Sequence, residues 1–256
     1  MKFDNIDNGK AFDFGKTASE YAKYRDIYPK ELYNFLYSLG VGHNGSKWLD
    51  IGTGTGVLPF NLYHYGADIT GVDISEEQIS VAKSLANERN INNIKFIVSP
   101  AESTKFKDNS FDSITAAQCF WYFDKDKITK EIKRLIRPNG VFVKIYMSYT
   151  LDDEIAKKSH ELVKAMNKSW TPDASGSKDI YNHPFDNGKI EVFCVDLPFT
   201  RESWHGRMCA CRGTLASMDN KTYKEWSAAH KKLLAGYPDK FTVKHKLFVA
   251  SYKFCE

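Results

Sequence analysis

A mostly parallel α/β sheet is the fold this chain predicts, and three observations predict it. From Trp48 onward, short apolar runs alternate with stretches of helical spacing. A glycine-rich turn, Gly52-Thr53-Gly54-Thr55-Gly56, closes the first apolar run. An aspartate, Asp73, closes the second, 21 residues after Gly52.

Taken in order, Lys47–Ile51 is a strand that ends in the glycine turn, after which Val57, Leu58, Leu62 and Tyr65 fall at helical spacing. Ile69–Val72 is a second strand stopping at Asp73. Ser75-Glu76-Glu77-Gln78 then reads as a capping box opening a helix with Ile79, Ala82, Leu85 and Ala86 inward. Ile94–Val98 and Phe111–Ala116 are the third and fourth strands. Asp124 caps a helix with Ile128, Ile132, Leu135 and Ile136 on one face, which Pro138-Asn139-Gly140 ends, and Val141–Tyr146 is the fifth strand. Five strands joined mostly by helical crossovers imply a Rossmann-like parallel sheet covered on both faces.

The flanks are less regular. Ser19–Tyr24 and Lys30–Leu39 are helical, with Pro29 at a permitted first-turn position. After residue 150 come a helix (Asp152–Lys168), a loop region (Thr171–Gly188), a strand (Ile190–Val195), helical stretches (Arg201–Cys211 and Thr222–Leu234) and a strand (Phe241–Tyr252). The two late strands bring the sheet to seven. The 256 residues then read as a single domain, with N-terminal lid helices over 1–46, a ligand-binding core over 47–147, and sheet completion plus inserted cap helices over 148–256.

Composition narrows the function classes. Lys+Arg 36 against Asp+Glu 32, a net charge of +4 without a basic block, does not point to nucleic acid. No apolar run approaches the roughly 20 residues of a membrane span, and Met1–Lys10 lacks an apolar signal region, so no membrane association and a cytoplasmic location are expected. Five cysteines without CxxC spacing suit reduced thiols, and seven scattered histidines lack metal-ligand spacing, so no metal is expected. Each histidine, and the Cys209-x-Cys211 pair, reads most simply as a surface or packing feature.

The chemistry concentrates at the glycine turn. Its glycines let backbone approach a ligand closely, and amides at a helix start receive anionic groups. Asp73 stands where a carboxylate accepts both hydroxyls of a ribose. A dinucleotide fingerprint wants a sixth-position glycine over a pyrophosphate, but Val57 stands there. The GxGxG pattern therefore favours S-adenosylmethionine over NAD, and an NAD-dependent oxidoreductase is disfavoured.

The motifs Trp48–Gly56, Gly71-Val-Asp-Ile-Ser75, Pro100-Ala-Glu102, Phe111-Asp112 and Arg137-Pro-Asn-Gly140 together resemble class I S-adenosylmethionine-dependent methyltransferases. Within that class, Tyr21–Pro29 and Thr115–Asp124 look like the branch of trans-aconitate methyltransferase-like small-molecule enzymes. The resemblance implies that Asp50, Gly52, Thr53, Gly54 and Gly56 shape the methionine pocket, Asp73 holds the ribose, Ile74 packs on the adenine, and Ala101 and Glu102 border its edge. It places Gln118 where cofactor and acceptor meet, and makes Tyr21, Tyr24 and Arg25 part of a lid over the cofactor. Two departures stand out: Pro100 occupies a position that is commonly acidic, and Trp121-Tyr122 replaces His-Trp.

The expected reaction is in-line methyl transfer to a small-molecule acceptor, with S-adenosylhomocysteine as product. Alignment and water exclusion supply much of the acceleration, and a base is needed only if the acceptor must lose a proton. Gln118, Trp121, Tyr122 and Tyr24 are the catalytic candidates, since aromatic faces stabilise a sulfonium. Trp204 and Arg207, three apart on one helical face, and Tyr146 are candidates for acceptor binding, with Arg207 suited to an acidic acceptor. The plainer alternative for Arg201–Arg207 is an ordinary solvated helix. Two other functions use the same motifs: a noncatalytic S-adenosylmethionine-binding protein, and a methyltransferase acting on a macromolecule.

Overall fold

The structure is a computed structural model that describes residues 1–24, 27–172 and 176–255. In chain order, α1 (Ala18–Tyr24) and α2 (Lys30–Ser38) precede β1 (Lys47–Ile51), α3 (Val57–Leu62), β2 (Asp68–Asp73), α4 (Glu76–Glu88), β3 (Ile94–Val98) and β4 (Phe111–Ala117). There follow α5 (Lys125–Leu135), β5 (Ile136–Tyr149), α6 (Glu154–Met166), α7 (Gly176–Asp179), β6 (Lys189–Thr200), α8 (Arg201–Cys209), α9 (Asn220–Leu234) and β7 (Lys240–Lys253). The strands form one seven-stranded sheet in the order β3-β2-β1-β4-β5-β7-β6, with parallel pairing from β3 through β5.

The order reverses at β1. The chain steps outward through β2 and β3, then returns to β4 on the other side of β1. Loops leaving the carboxyl ends of β1 and β4 diverge there, which opens the crevice where doubly wound sheets bind ligands. Trp48, Leu49, Asp50 and Ile51 of β1 are all buried, as a central parallel strand covered on both faces requires.

Caps set most helix starts. The Ser75 hydroxyl accepts the Gln78 amide, Asp124 accepts that of Lys127, Asp153 that of Ala156, and Asp219 those of Lys221 and Thr222. At Arg137-Pro-Asn-Gly140 the structure corrects the expected helix stop. The helix already ends at Leu135, and Ile136 pairs with Phe111 while Val141 pairs with Ser113. Residues 137–140 therefore bulge out opposite Asp112 alone. Arg137 Nη1 grips both Asp112 oxygens at 2.8 Å, and the Lys47 amide adds a bond of 2.7 Å, so this motif fixes β1, β4 and β5 at one end.

Two compact units interleave along the chain. One comprises Met1–Ile27, Met147–Ser175 and Phe193–Leu247; the other comprises Tyr28–Tyr146, Gly176–Val192 and Phe248–Glu256. Helix α2, assigned to the lid by position, thus belongs with the glycine turn. The second unit is built on a core that includes Leu49, Ile51, Ile114, Ile132, Phe142 and Tyr252. Among the described residues, no helix is long and apolar enough to cross a membrane.

A buried cation ties residues 176–192 into this core. Lys144, on β5 and 2% exposed, donates to the Asp179 carbonyl at 2.6 Å and the Asn182 carbonyl at 2.8 Å. Burial pulls its pKa down to about 8, opposed by the Asp179 carboxylate 3.4 Å away. The other Asp179 oxygen receives Lys125 at 2.9 Å. Lys144→Met, which keeps the stem and removes the donors, is expected to cost about 2–4 kcal/mol by leaving both carbonyls unpaired. A urea midpoint unchanged from wild type, with no new proteolysis within 176–192, would show that Lys144 is not the anchor.

Candidate active site

The turn after β1 takes its shape from glycine. Gly52, Gly54 and Gly56 lie at φ of 62°, 56° and 85°, in the left-handed region that side chains with a Cβ rarely adopt. A Cβ at Gly52 would also meet Cys119 Cβ and Sγ at 2.7 Å, so the turn presses directly against the segment following β4.

Asp73 holds this turn to the next. Its Oδ2 accepts the Gly54 amide at 2.9 Å and its Oδ1 accepts the Ser75 amide at 3.0 Å. Burial raises its pKa, and the amides of Ser75, Gly54 and Ile74 oppose the rise. A carboxylate can accept about four hydrogen bonds, so Asp73 has capacity for further donors. The neighbouring Ile74 side chain is 63% exposed, an apolar surface beside a preorganised carboxylate. Ala101 is buried nearby in the same unit, and Glu102 Oε1 accepts the Asp124 amide at 3.3 Å.

Asp50 is buried at the carboxyl half of β1, between Gly71 of β2 and Thr115 of β4 in register. The Trp48 indole Nε1 donates to Thr115 Oγ1 at 2.8 Å, and Thr115 Oγ1 donates to Asp50 Oδ1 at 2.5 Å. This relay orients the carboxylate and spends the single proton of Thr115 on it. Burial raises the Asp50 pKa to about 7; the Thr115 and Thr53 hydroxyls oppose the shift, and the Asp73 charge adds to it. Thr115 and Trp48 fall in separate sequence motifs, and strand register is what joins them to Asp50.

Past β4, Gln118 adopts a left-handed φ of 60°, rare for a non-glycine residue, while its amide donates to Ile145. Cys119 Sγ donates to the Ile51 carbonyl at 3.2 Å, and burial pushes its thiol pKa well up, so it is a packing thiol. Trp121, Tyr122 and Tyr146 form an aromatic cluster, with Trp121 5.2 Å from Tyr122 and edge-on to Tyr146 at 5.5 Å. The buried Trp121 Nε1 has no hydrogen-bond partner.

Tyr21, Tyr24, Trp204 and Arg207 belong to the other unit, and Arg25 lies outside the described residues. The Tyr24 ring lies on Gly206 of α8, leaving no room for a Cβ there, and its hydroxyl donates to Glu202 at 2.9 Å. That hydroxyl serves the α1–α8 contact. The solvated-helix alternative for α8 fails, since Trp204, Gly206, Arg207, Met208 and Cys209 are buried. The helix stops at Cys209, so Cys209 and Cys211 do not share it. Trp204 Nε1 donates to Ser159 at 2.9 Å, and the Arg207 guanidinium lies over the Tyr149 and Trp204 rings.

Because its folded pKa lies above the ordinary value near 3.9, Asp50 favours folding in its neutral form. Its contribution is fully present below about pH 4 and is lost as pH rises through about 7. Asp50→Asn should therefore unfold at higher urea than wild type at pH 8, with the advantage shrinking toward pH 5. Equal midpoints across that range would remove burial as the controlling effect. Thr115→Val leaves Asp50 Oδ1 and Trp48 Nε1 unpaired and is expected to cost about 1–3 kcal/mol in the same assay.

The arrangement suits a nucleoside joined to an amino-acid group: the buried Asp50, the partly buried Asp73 carboxylate, a glycine turn that lets a ligand approach the backbone closely and an uncovered Ile74. Comparisons with known proteins agree. The family described as "Methyltransferase domain" matches residues 42–189. The uncharacterized methyltransferase YcgJ of Bacillus subtilis is 36% identical over 197 residues, covering 75% of this chain and 76% of that one. A putative methyltransferase of Dictyostelium discoideum is 29% identical over 178 residues, covering 66% and 63%. The crystal structure of YcgJ superposes with a TM-score of 0.55 at 23% identity, over 86% of this chain and 99% of that one. Haemonchus contortus phosphoethanolamine N-methyltransferase 2, solved with phosphomonomethylethanolamine and S-adenosylhomocysteine, gives 0.57 at 18% identity, over 94% of this chain and 58% of that one. The chain belongs to the methyltransferase-domain family: it is a class I S-adenosylmethionine-dependent methyltransferase, with S-adenosylmethionine as its methyl donor.

Proposed function

We propose that this enzyme methylates a small molecule carrying an anionic group and releases S-adenosylhomocysteine. The observation that carries the anionic class is Arg207. It is 4% exposed, and among the described residues it has no carboxylate within ion-pair distance. Its Nη1 donates to the Cys211 thiol at 2.7 Å, while its buried Nε has no partner. A guanidinium taken out of water without a counter-ion is costly, and a carboxylate or phosphate supplied by a ligand removes that cost.

On this reading Asp73 holds the ribose hydroxyls, Ile74 covers the adenine, and Ala101 and Glu102 border it. Asp50 and the turn from Gly52 through Thr53 and Gly54 to Gly56 receive the amino-acid end. Bound there, S-adenosylmethionine supplies a methyl group on a positively charged sulfur. The protein's part is to align the acceptor, exclude water and offer aromatic faces to the positive charge, with Gln118, Trp121, Tyr122 and Tyr146 placed past β4 and on β5 for that work. A carboxylate acceptor attacks without losing a proton, so the arrangement needs no general base.

Asp73→Asn keeps the shape of the side chain and removes its charge. It is expected to weaken S-adenosylhomocysteine binding by about tenfold or more, a loss of about 1.4 kcal/mol. Calorimetric titration decides it: an unchanged dissociation constant in a folded variant takes Asp73 out of the site. Arg207→Ala is expected to raise the acceptor KM about tenfold or more without altering S-adenosylhomocysteine affinity, the pattern of lost ground-state binding. Unaltered kinetics toward an anionic acceptor would end the role proposed for Arg207.

A further inference from the structure

The unit that contains α1, α8 and α9 holds a cleft of about 580 Å³, a volume typical of small-ligand sites. Glu20 and Tyr24 of α1, His205 and Cys209 of α8, and Tyr223 and Lys231 of α9 line it, each set at helical spacing that brings it to the same face.

The protons in its wall can be assigned by following the hydrogen bonds inward. Ser159 donates its only proton to the Ile155 carbonyl at 2.8 Å and accepts from Trp204 Nε1. His230 Nε2, 2.9 Å from the same oxygen, must therefore be the donor. Burial pushes His230 down to about 3 and His205 to about 4, so both rings are neutral at pH 7. The Nδ1 of His230 is then a lone pair, and His205 Nδ1, 2.8 Å away, carries the proton between them. That leaves His205 Nε2 as an acceptor, facing the hydroxyl of Ser227 at 3.1 Å and the thiol of Cys209 at 3.4 Å, both in the cleft wall. Four buried groups thus fix one nitrogen as a hydrogen-bond acceptor.

The charges sort as cleanly. Arg201 pairs with Asp239 at 3.4 Å, and Glu202 takes Lys23 at 3.2 Å and the Tyr24 hydroxyl at 2.9 Å. Glu20 and Lys231 remain, and among the described residues neither has an ion-pair partner. Both line the cleft. One carboxylate, one ammonium and one neutral acceptor, walled by two tyrosine rings, complement a molecule that carries both charges itself.

We propose that this cleft binds a small zwitterion of the amino-acid type, its ammonium group between Glu20 and His205 Nε2, where it replaces the Ser227 hydroxyl as donor to that nitrogen, its carboxylate at Lys231 and an apolar side chain against Tyr24 and Tyr223. The site is independent of the anion-binding role proposed for Arg207.

Nitrogen-15 spectra of the full chain, labelled at histidine, test it with three probes that share a phenyl ring: L-phenylalanine with both charges, phenethylamine with the positive one and 3-phenylpropionate with the negative one. L-phenylalanine is expected to move the His205 Nε2 resonance saturably, with an apparent Kd about tenfold below that of either single-charge probe. Glu20→Gln and Lys231→Met, both at the cleft rim, should each weaken it about fivefold or more and leave S-adenosylhomocysteine binding unchanged. The proposal is overturned if the three probes act alike, if none moves His205, or if a protonated Nε2 is found in the free protein. It is equally overturned if neither rim variant alters L-phenylalanine binding.

Discussion

The carboxylate of Asp73 is the constraint on which the rest of the cofactor-bearing unit depends. It accepts the Gly54 amide from the turn after β1 and the Ser75 amide from the start of α4. One side chain thereby sets the distance between two turns that belong to successive strand–helix units. Charge-assisted bonds of this kind are worth about 1.5–3 kcal/mol each, and they offset the burial that raises the Asp73 pKa. The left-handed glycines could adopt many conformations. With Gly54 tethered, the turn adopts one, and it lies against Cys119 with no room for a side chain.

Much of the fold was legible because its signals are local. Ser75 and Asp124 stand just before apolar runs of helical spacing, and each caps the helix its position implies. The strands end where turn residues or acidic residues interrupt the apolar runs. What could not be read depends on register or on distant contacts. The Arg137–Gly140 bulge exists because four residues face Asp112 across the β4–β5 ladder, and no property of those four residues alone states which strand they meet. The interleaving of the two units follows from contacts such as Lys144 with Asp179 and Asn182, which lie 35 and 38 residues apart in sequence. Helix α8 read as solvated for a related reason: its charged and apolar residues do not segregate into a stripe, so only its neighbours reveal that Arg207 is buried.

The site divides along the same line. The glycine turn and Asp73 are a compact motif whose chemistry follows from spacing, and that spacing was enough to favour one cofactor over another. Thr115 donates a hydrogen bond to Asp50, and that contact becomes visible only once β1 and β4 pair with Asp50 opposite Thr115. Tyr24 is similar. The resemblance of Tyr21–Pro29 implied a cofactor lid, and nothing in that motif announces that the Tyr24 hydroxyl donates to Glu202 and its ring packs on Gly206. A tyrosine's partner depends on which helix packs over it, and α8 lies about 180 residues further along the chain.

The buried charges carry the argument about reaction chemistry one step further. Asp50 and Asp73 are carboxylates without an ion-pair partner among the described residues, stabilised by hydroxyl and amide donors in place of cations. Arg207 is a cation in the reverse situation. On the reading proposed above, the two ligands are a cationic methyl donor and an anionic acceptor. That pairing also suits the reaction. When an anionic oxygen takes a methyl group from a sulfonium, a carbon–oxygen bond forms as the carbon–sulfur bond breaks, and two opposite charges become two neutral groups. Charge that disappears along the reaction path is stabilised less by water in the transition state than in the ground state, so a site that excludes water accelerates the step by withholding solvation from the reactants. The protein then needs no residue to hold developing charge, which accounts for a cluster past β4 built from Trp121, Tyr122 and Tyr146.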